Sequence, residues 1–126
     1  FLGVQGGQGV DFHLVASNEA WYEESVLMDH MLAFSRLEAI QVGRSVLRAT
    51  NSGASALFGP DGRLLALLEQ DGRHKMVRGT LRVTVPVPKR DADGAAPLTP
   101  YVRTRRIQAW AFGILVLACA FLAGKR

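Results

Sequence analysis

Val15-Ala16-Ser17-Asn18-Glu19-Ala20-Trp21 ends an apolar strand on a polar turn that presents Asn18 and Trp21 together. A polar and an aromatic side chain paired at a strand's end are a common way to line a pocket. Upstream, Val10 to Ala16 reads as the strand itself. Downstream, Asn18 to Glu24 is a polar connection that also carries Tyr22, and Ser25 to Val42 reads as a long helix. Glu23 and Glu24 favour that helix's N-terminal dipole, and Gly43 then Arg44 suit its C-terminal end. Leu27, Met31, Phe34 and Leu37 lie on one side and Leu32 and Ala39 towards another. Asp29 and Arg36 mark the most polar stripe. A helix this apolar is expected to be covered on more than one side, as in a layered sandwich.

Four strands are expected after it. Ser45 to Thr50 is the first and Ala54 to Phe58 the second. Gly59-Pro60-Asp61-Gly62 is a strong turn signal, so Arg63 to Leu68 completes a hairpin. Met76 to Val85 alternates, with Val77, Leu81, Val83 and Val85 on one face and Arg78, Thr80, Arg82 and Thr84 on the other, which predicts a half-exposed edge strand. Pro86 and Pro88 end it. At the other end of the chain, Gly3, Gly6, Gly7 and Gly9 read as a loop. It is not a phosphate-binding one, because neither Lys-Ser nor Lys-Thr follows and no helix opens there.

The 126 residues allow at most one domain, and a first residue of Phe1 reads as the C-terminal piece of something longer. Ile107 to Gly124 carries no charge. About 17–25 apolar residues span a bilayer, so a transmembrane helix is expected over 107–124, with Trp110 at one interface and Lys125 and Arg126 snorkelling at the other. Ile114 to Phe121 leaves no polar face for a soluble amphipathic helix. The net charge of +4 comes partly from Arg103, Arg105, Arg106, Lys125 and Arg126, which flank that run. Such a pattern suits a membrane and needs no nucleic acid. With both flanks basic, charge alone leaves the topology open. The single cysteine, Cys119, lies inside the apolar run, where packing is the expected role, and it has no partner for an intrachain disulfide. His13, His30 and His74 have no ligand spacing, so neither metal nor cofactor is expected.

Ser17-Asn18-Glu19-Ala20-Trp21-Tyr22-Glu23, Arg48-Ala49-Thr50-Asn51-Ser52-Gly53, Gly59-Pro60-Asp61-Gly62-Arg63 and Thr99-Pro100-Tyr101 follow one another in that order, ahead of the apolar run. In this the chain resembles the C-terminal part of the apolipoprotein N-acyltransferases, membrane-anchored members of the nitrilase (carbon–nitrogen hydrolase) superfamily. Their motifs typically read Ser-Asn-Asp-Ala-Trp-Phe-Gly, Arg-Ala-Thr-Asn-Asn-Gly and Thr-Pro-Tyr. Glu19 thus replaces Asp, Glu23 replaces a Gly that lets the loop turn tightly, Gln41 replaces Glu, and Ser45 replaces Pro.

The resemblance implies an α/β fold: the C-terminal part of a nitrilase-type α-β-β-α sandwich over 1–88, a linker and juxtamembrane segment over 89–106, and one transmembrane helix over 107–124. It implies a Glu–Lys–Cys triad that takes an acyl chain from a phospholipid as a thioester. The chain then passes to the N-terminal amine of a lipoprotein's diacylglyceryl-cysteine. In that family the triad precedes the Ser-Asn motif, and the residues before Ser17 contain no Cys, Lys or Glu. No catalytic residue is therefore expected in this chain. Its substrate-binding candidates are Asn18, Trp21 and Tyr22. Asn18 either bonds a polar headgroup or orients the loop; Trp21 is either an apolar wall or a plug beneath the loop. Arg48 reads as a structural ion-pair partner, and Asn51 and Gly53 as turn residues. The implied setting is a monomer in the bacterial inner membrane with its soluble part on the periplasmic side. A membrane-tethered nitrilase-fold amidase and a non-catalytic membrane-anchored domain are the alternatives.

Overall fold

Ser25 is extended (φ −111°, ψ 167°), and the next residue opens helix α1, Val26–Val42. Gly43 closes it in the left-handed region (φ 62°) and returns its N–H to the Ala39 carbonyl at 2.9 Å, a C-cap that glycine adopts without penalty. The computed structural model that shows this describes residues 9–123. Gly3, Gly6 and Gly7 of the expected loop, and Gly124, Lys125 and Arg126 of the expected span, lie outside the described residues.

Helix α1 joins two parallel strands, β1 (Phe12–Ser17) and β2 (Ser45–Thr50), paired in register from Phe12↔Ser45 to Ser17↔Thr50. Strands β3 (Ala56–Phe58) and β4 (Leu64–Leu67) add antiparallel, giving the order β1-β2-β3-β4. The β3–β4 turn is the expected one. Gly59 N–H donates to the Arg63 carbonyl at 2.9 Å, Asp61 Oδ1 accepts from Arg63 N–H at 3.0 Å, and Gly62 takes φ 77°.

The pleat sends His13, Val15, Val46, Arg48, Ala56 and Phe58 towards α1. There Ala39, Val46, Ala56 and Phe58 form a buried cluster flanked by Val15, Leu32 and Leu67. His13 is buried in the same layer. Desolvation, helped by the nearby Arg44 charge, holds its imidazole below the usual histidine range. The opposite face, carrying Phe12, Leu14, Leu47 and Ala49, stays largely open, and Leu14 is 60% exposed. Of the four layers that the resemblance implies, the described residues build two, one helix on one sheet. The outer side of α1 is uncovered as well, with Val26, Phe34, Leu37 and Ile40 exposed.

The alternating segment 76–85 forms no strand. It crosses the open face with Met76 N–H on the Ser52 carbonyl at 2.8 Å and the Pro86 carbonyl taking the Ser45 hydroxyl at 2.6 Å. Alternation records a two-faced environment, but a ladder needs a strand edge alongside, and this segment lies across a face.

The C-terminal helix α2, Pro100–Ala123, is 24 residues long and begins before the apolar run. Thr99 caps it, accepting from Val102 N–H at 3.2 Å while donating its hydroxyl to the Gln41 carbonyl at the end of α1. Gly43 makes room for this contact, since a Cβ there would lie 2.7 Å from Thr99 Cγ2. Buried Arg44 binds the same corner, donating to the Val10, Gly43 and Pro97 carbonyls at 2.8–2.9 Å. The expected transmembrane helix over 107–124 needs correction here. From Ile107 to Ala123 the helix measures about 25 Å at 1.5 Å per residue, short of a hydrocarbon core of about 30 Å. Among the described residues no helix is long and apolar enough to cross a membrane.

Candidate functional site

β1 and β2 end side by side at Ser17↔Thr50, and the two loops that leave their carboxyl ends build one structure. Ligands of α/β sheets gather at such strand ends. Glu19, in the first loop, has no solvent exposure and forms an ion pair with Arg48 of β2, itself 4% exposed. Arg48 also donates from Nη1 to Ser35 Oγ of α1 at 3.1 Å, and Ser35 donates onward to the Met31 carbonyl at 3.2 Å. Burial pushes the Arg48 guanidinium below the ordinary arginine value. Arg48 meets the expectation of an ion-pair partner. Its counter-ion was missed, because a glutamate in a polar turn reads as solvated. The retrievable signal was the longer Glu at a position where the related motif has Asp.

Above this pair the loops are joined by two asparagines. Asn51 Oδ1 accepts from Glu19 N–H at 2.9 Å and from the Ser52 hydroxyl at 3.2 Å. Asn51 Nδ2 donates to Asn18 Oδ1 at 2.8 Å, and the same oxygen takes Ala20 N–H at 3.2 Å. Asn51 therefore does more than shape its own turn. Gly53 is buried beneath, and a Cβ there would run into the Glu19 carboxylate.

The structure brings Asn18, Trp21 and Tyr22 together on this platform. Trp21 and Tyr22 lie in a single 3₁₀ turn, Ala20–Tyr22, closed by Tyr22 N–H on the Glu19 carbonyl at 3.1 Å. Trp21 is 84% exposed, so it plugs nothing beneath the loop; Tyr22 is half-buried. Glu23 then turns the chain at φ 51°, ψ −161°, a region that is glycine's almost alone and costs another residue about 1–3 kcal/mol. This is the position at which the related motif has Gly. Glu23→Gly is expected to raise stability by about 1 kcal/mol, read as a higher denaturation midpoint at unchanged m-value.

The 70–76 loop lies beside the start of α1. Arg73 Nη2 reaches both carboxylate oxygens of Glu24 at 2.8 Å, Lys75 Nζ meets Asp29 at 2.9 Å, and His74 Nε2 lies 3.6 Å from the same aspartate. The Lys75 hydrogen bond is the chief cause that holds the Asp29 carboxyl below its usual range. The Arg73–Glu24 pair is solvent-exposed and contributes at most about 1 kcal/mol. Between β2 and the crossing segment lies a cleft of about 430 Å³, walled by Leu47, Thr50, Leu68, Arg78 and Thr80 and reaching Asn51. The assembly offers amide donors, an exposed indole and a cleft of mixed polar and apolar lining, the kinds of groups that can bind and orient a ligand. The cysteine of the chain is on α2, exposed.

The carbon–nitrogen hydrolase family model matches residues 4–86. The chain is 37% identical over 110 residues to the apolipoprotein N-acyltransferase of Ralstonia nicotianae, covering 87% of this chain and 19% of that protein. It is 36% identical over 107 residues to that of Neisseria meningitidis serogroup A, covering 85% and 18%. It is 31% identical over 118 residues to that of Pseudomonas putida, covering 91% and 20%. The chain thus spans about a fifth of the length of the curated relatives it matches.

Proposed function

The chain belongs to the carbon–nitrogen hydrolase family, and from that premise we propose that it is the C-terminal portion of a bacterial membrane N-acyltransferase acting on lipoproteins. One observation carries this reading. The family model ends at residue 86, yet a match covering 91% of the chain must run on into α2. A soluble-type amidase would share the hydrolase segment without that helix. Along α2, Ile107, Trp110, Phe112, Ile114, Leu117 and Phe121 are all exposed, with Leu117 at 72%. Apolar side chains around a whole helix need a non-aqueous neighbour, and we place α2 against apolar parts of the whole protein, with the site at the membrane surface on the periplasmic side.

In this reading the nucleophilic cysteine, its glutamate base and the oxyanion-stabilising lysine come from parts of the protein outside this chain. The thiolate attacks a phospholipid ester carbonyl and expels the lysophospholipid. The lipoprotein's N-terminal amine then attacks the thioester and expels the thiolate. Asn18, Trp21 and Tyr22 form one wall of that site: the indole packs on an acyl chain or glycerol, and the amide and phenol bond polar groups.

The test is acyl transfer from phospholipid vesicles to a diacylated lipopeptide by the whole protein. Turnover with a cysteine-bound acyl intermediate is expected, and its absence would refute the acyltransferase reading. Trp21→Ala should lower turnover about 10-fold, the scale of one lost apolar pocket contact. An unchanged rate would remove Trp21 from the site.

A further inference from the structure

The hydrogen bonds around Asn18 fix which half of its amide is left for a ligand. Glu19 N–H can only donate, so the Asn51 atom it meets at 2.9 Å must be the oxygen. Asn51 therefore turns its NH₂ to Asn18, and the Asn18 atom receiving it at 2.8 Å must be oxygen too. Ala20 N–H, donating to that same atom at 3.2 Å, independently requires an oxygen there. Both amide orientations follow from backbone donors, so neither is free to flip. Asn18 is exposed, and its Nδ2 has no hydrogen-bond partner among the described residues. What the site offers at this point is two N–H donors and no acceptor, one residue-turn away from the exposed indole of Trp21.

We infer that Asn18 Nδ2 binds a phosphate oxygen of the phospholipid acyl donor and does not hold the acceptor amine. The inference rests on the acyltransferase reading above and gives Asn18 its place in that reaction. A neutral amine about to attack a thioester must shed protons, which calls for a hydrogen-bond acceptor beside it. The lone pairs of Asn18 Oδ1 that could serve are already taken by Asn51 and Ala20. A phosphate oxygen needs donors, which the free NH₂ supplies, and it leaves with the lysophospholipid before the amine attacks. Asn18 thus serves thioester formation and leaves its aminolysis to other groups.

Asn18→Asp isolates the claim in the whole protein. The aspartate keeps an oxygen for Asn51 Nδ2 and Ala20 N–H, so the loop stays joined, and replaces the NH₂ donors with a negative oxygen. With phosphatidylethanolamine vesicles, cysteine acylation should slow about 10- to 100-fold, the range for a lost hydrogen bond to a charged oxygen. Transfer from pre-formed acyl-enzyme to a diacylated lipopeptide should slow far less. Asn51→Ala, which undoes the joint and leaves the Asn18 amide in place, should slow both half-reactions alike. A p-nitrophenyl fatty-acid ester has no phosphate, so the Asn18→Asp penalty on acylation should vanish with it; a penalty that persists places Asn18 at the carbonyl and overturns the inference. Equal slowing of both half-reactions by Asn18→Asp, a larger effect on transfer, or no effect on acylation overturns the inference. A wild-type protein that forms no acyl-enzyme fails the acyltransferase reading instead.

Discussion

Arg48→Met is expected to cost the whole protein about 3–5 kcal/mol, the range for removing one member of a buried ion pair. Methionine roughly fills the space of the arginine stem, so little of the loss comes from a cavity. The cost arises at Glu19, which has no solvent exposure and is left as an uncompensated buried carboxylate. Ser35 loses its donor at the same time. The measurement is a denaturant titration in detergent, read as a lower midpoint at unchanged m-value. Removing both charges with Arg48→Met and Glu19→Met should recover much of the loss, because two apolar groups often replace a buried pair at little cost. A single-variant loss below about 1 kcal/mol would match a solvent-exposed pair and contradict the burial described here.

Gly53→Ala should rank beside it. The added methyl meets the Glu19 carboxylate, which is the far end of a flexible side chain and would ordinarily swing aside. Here it is held by Arg48, so yielding means giving up the pair. A loss of about 2–4 kcal/mol is expected, between a simple overpacking and a fully broken buried pair. The two positions are coupled. Glu19→Asp draws the carboxylate back by one methylene, so Gly53→Ala should cost at least about 1 kcal/mol less in that background. Additive losses would show that the methyl and the carboxylate do not compete for the same space.

The long helix, the β3–β4 hairpin and the β1–β2 pair were legible because each is marked locally. Gly43 closes α1, Pro60-Asp61-Gly62 makes the turn, and apolar runs mark the strands. Segment 76–85 was misread because its alternation arises from lying over a sheet face. The platform under Trp21 was only half legible. Asn18 and Trp21 stand out in sequence, but the Asn18–Asn51 bond joins residues 33 apart, and nothing local marks Glu19 as buried. Glu23 is the converse case: the related motif's glycine marked a tight turn, and the chain makes that turn with a glutamate at φ 51°.

The corner where α1 meets α2 also carries a mechanical consequence. Thr99 bridges the last turn of one helix and the first turn of the other, Arg44 cross-links the backbone around it, and Val102 is buried at the joint. A joint so constrained transmits torque where a slack tether would absorb it. A tilt of α2 would therefore bear first on the end of α1 and on the backbone that Arg44 cross-links.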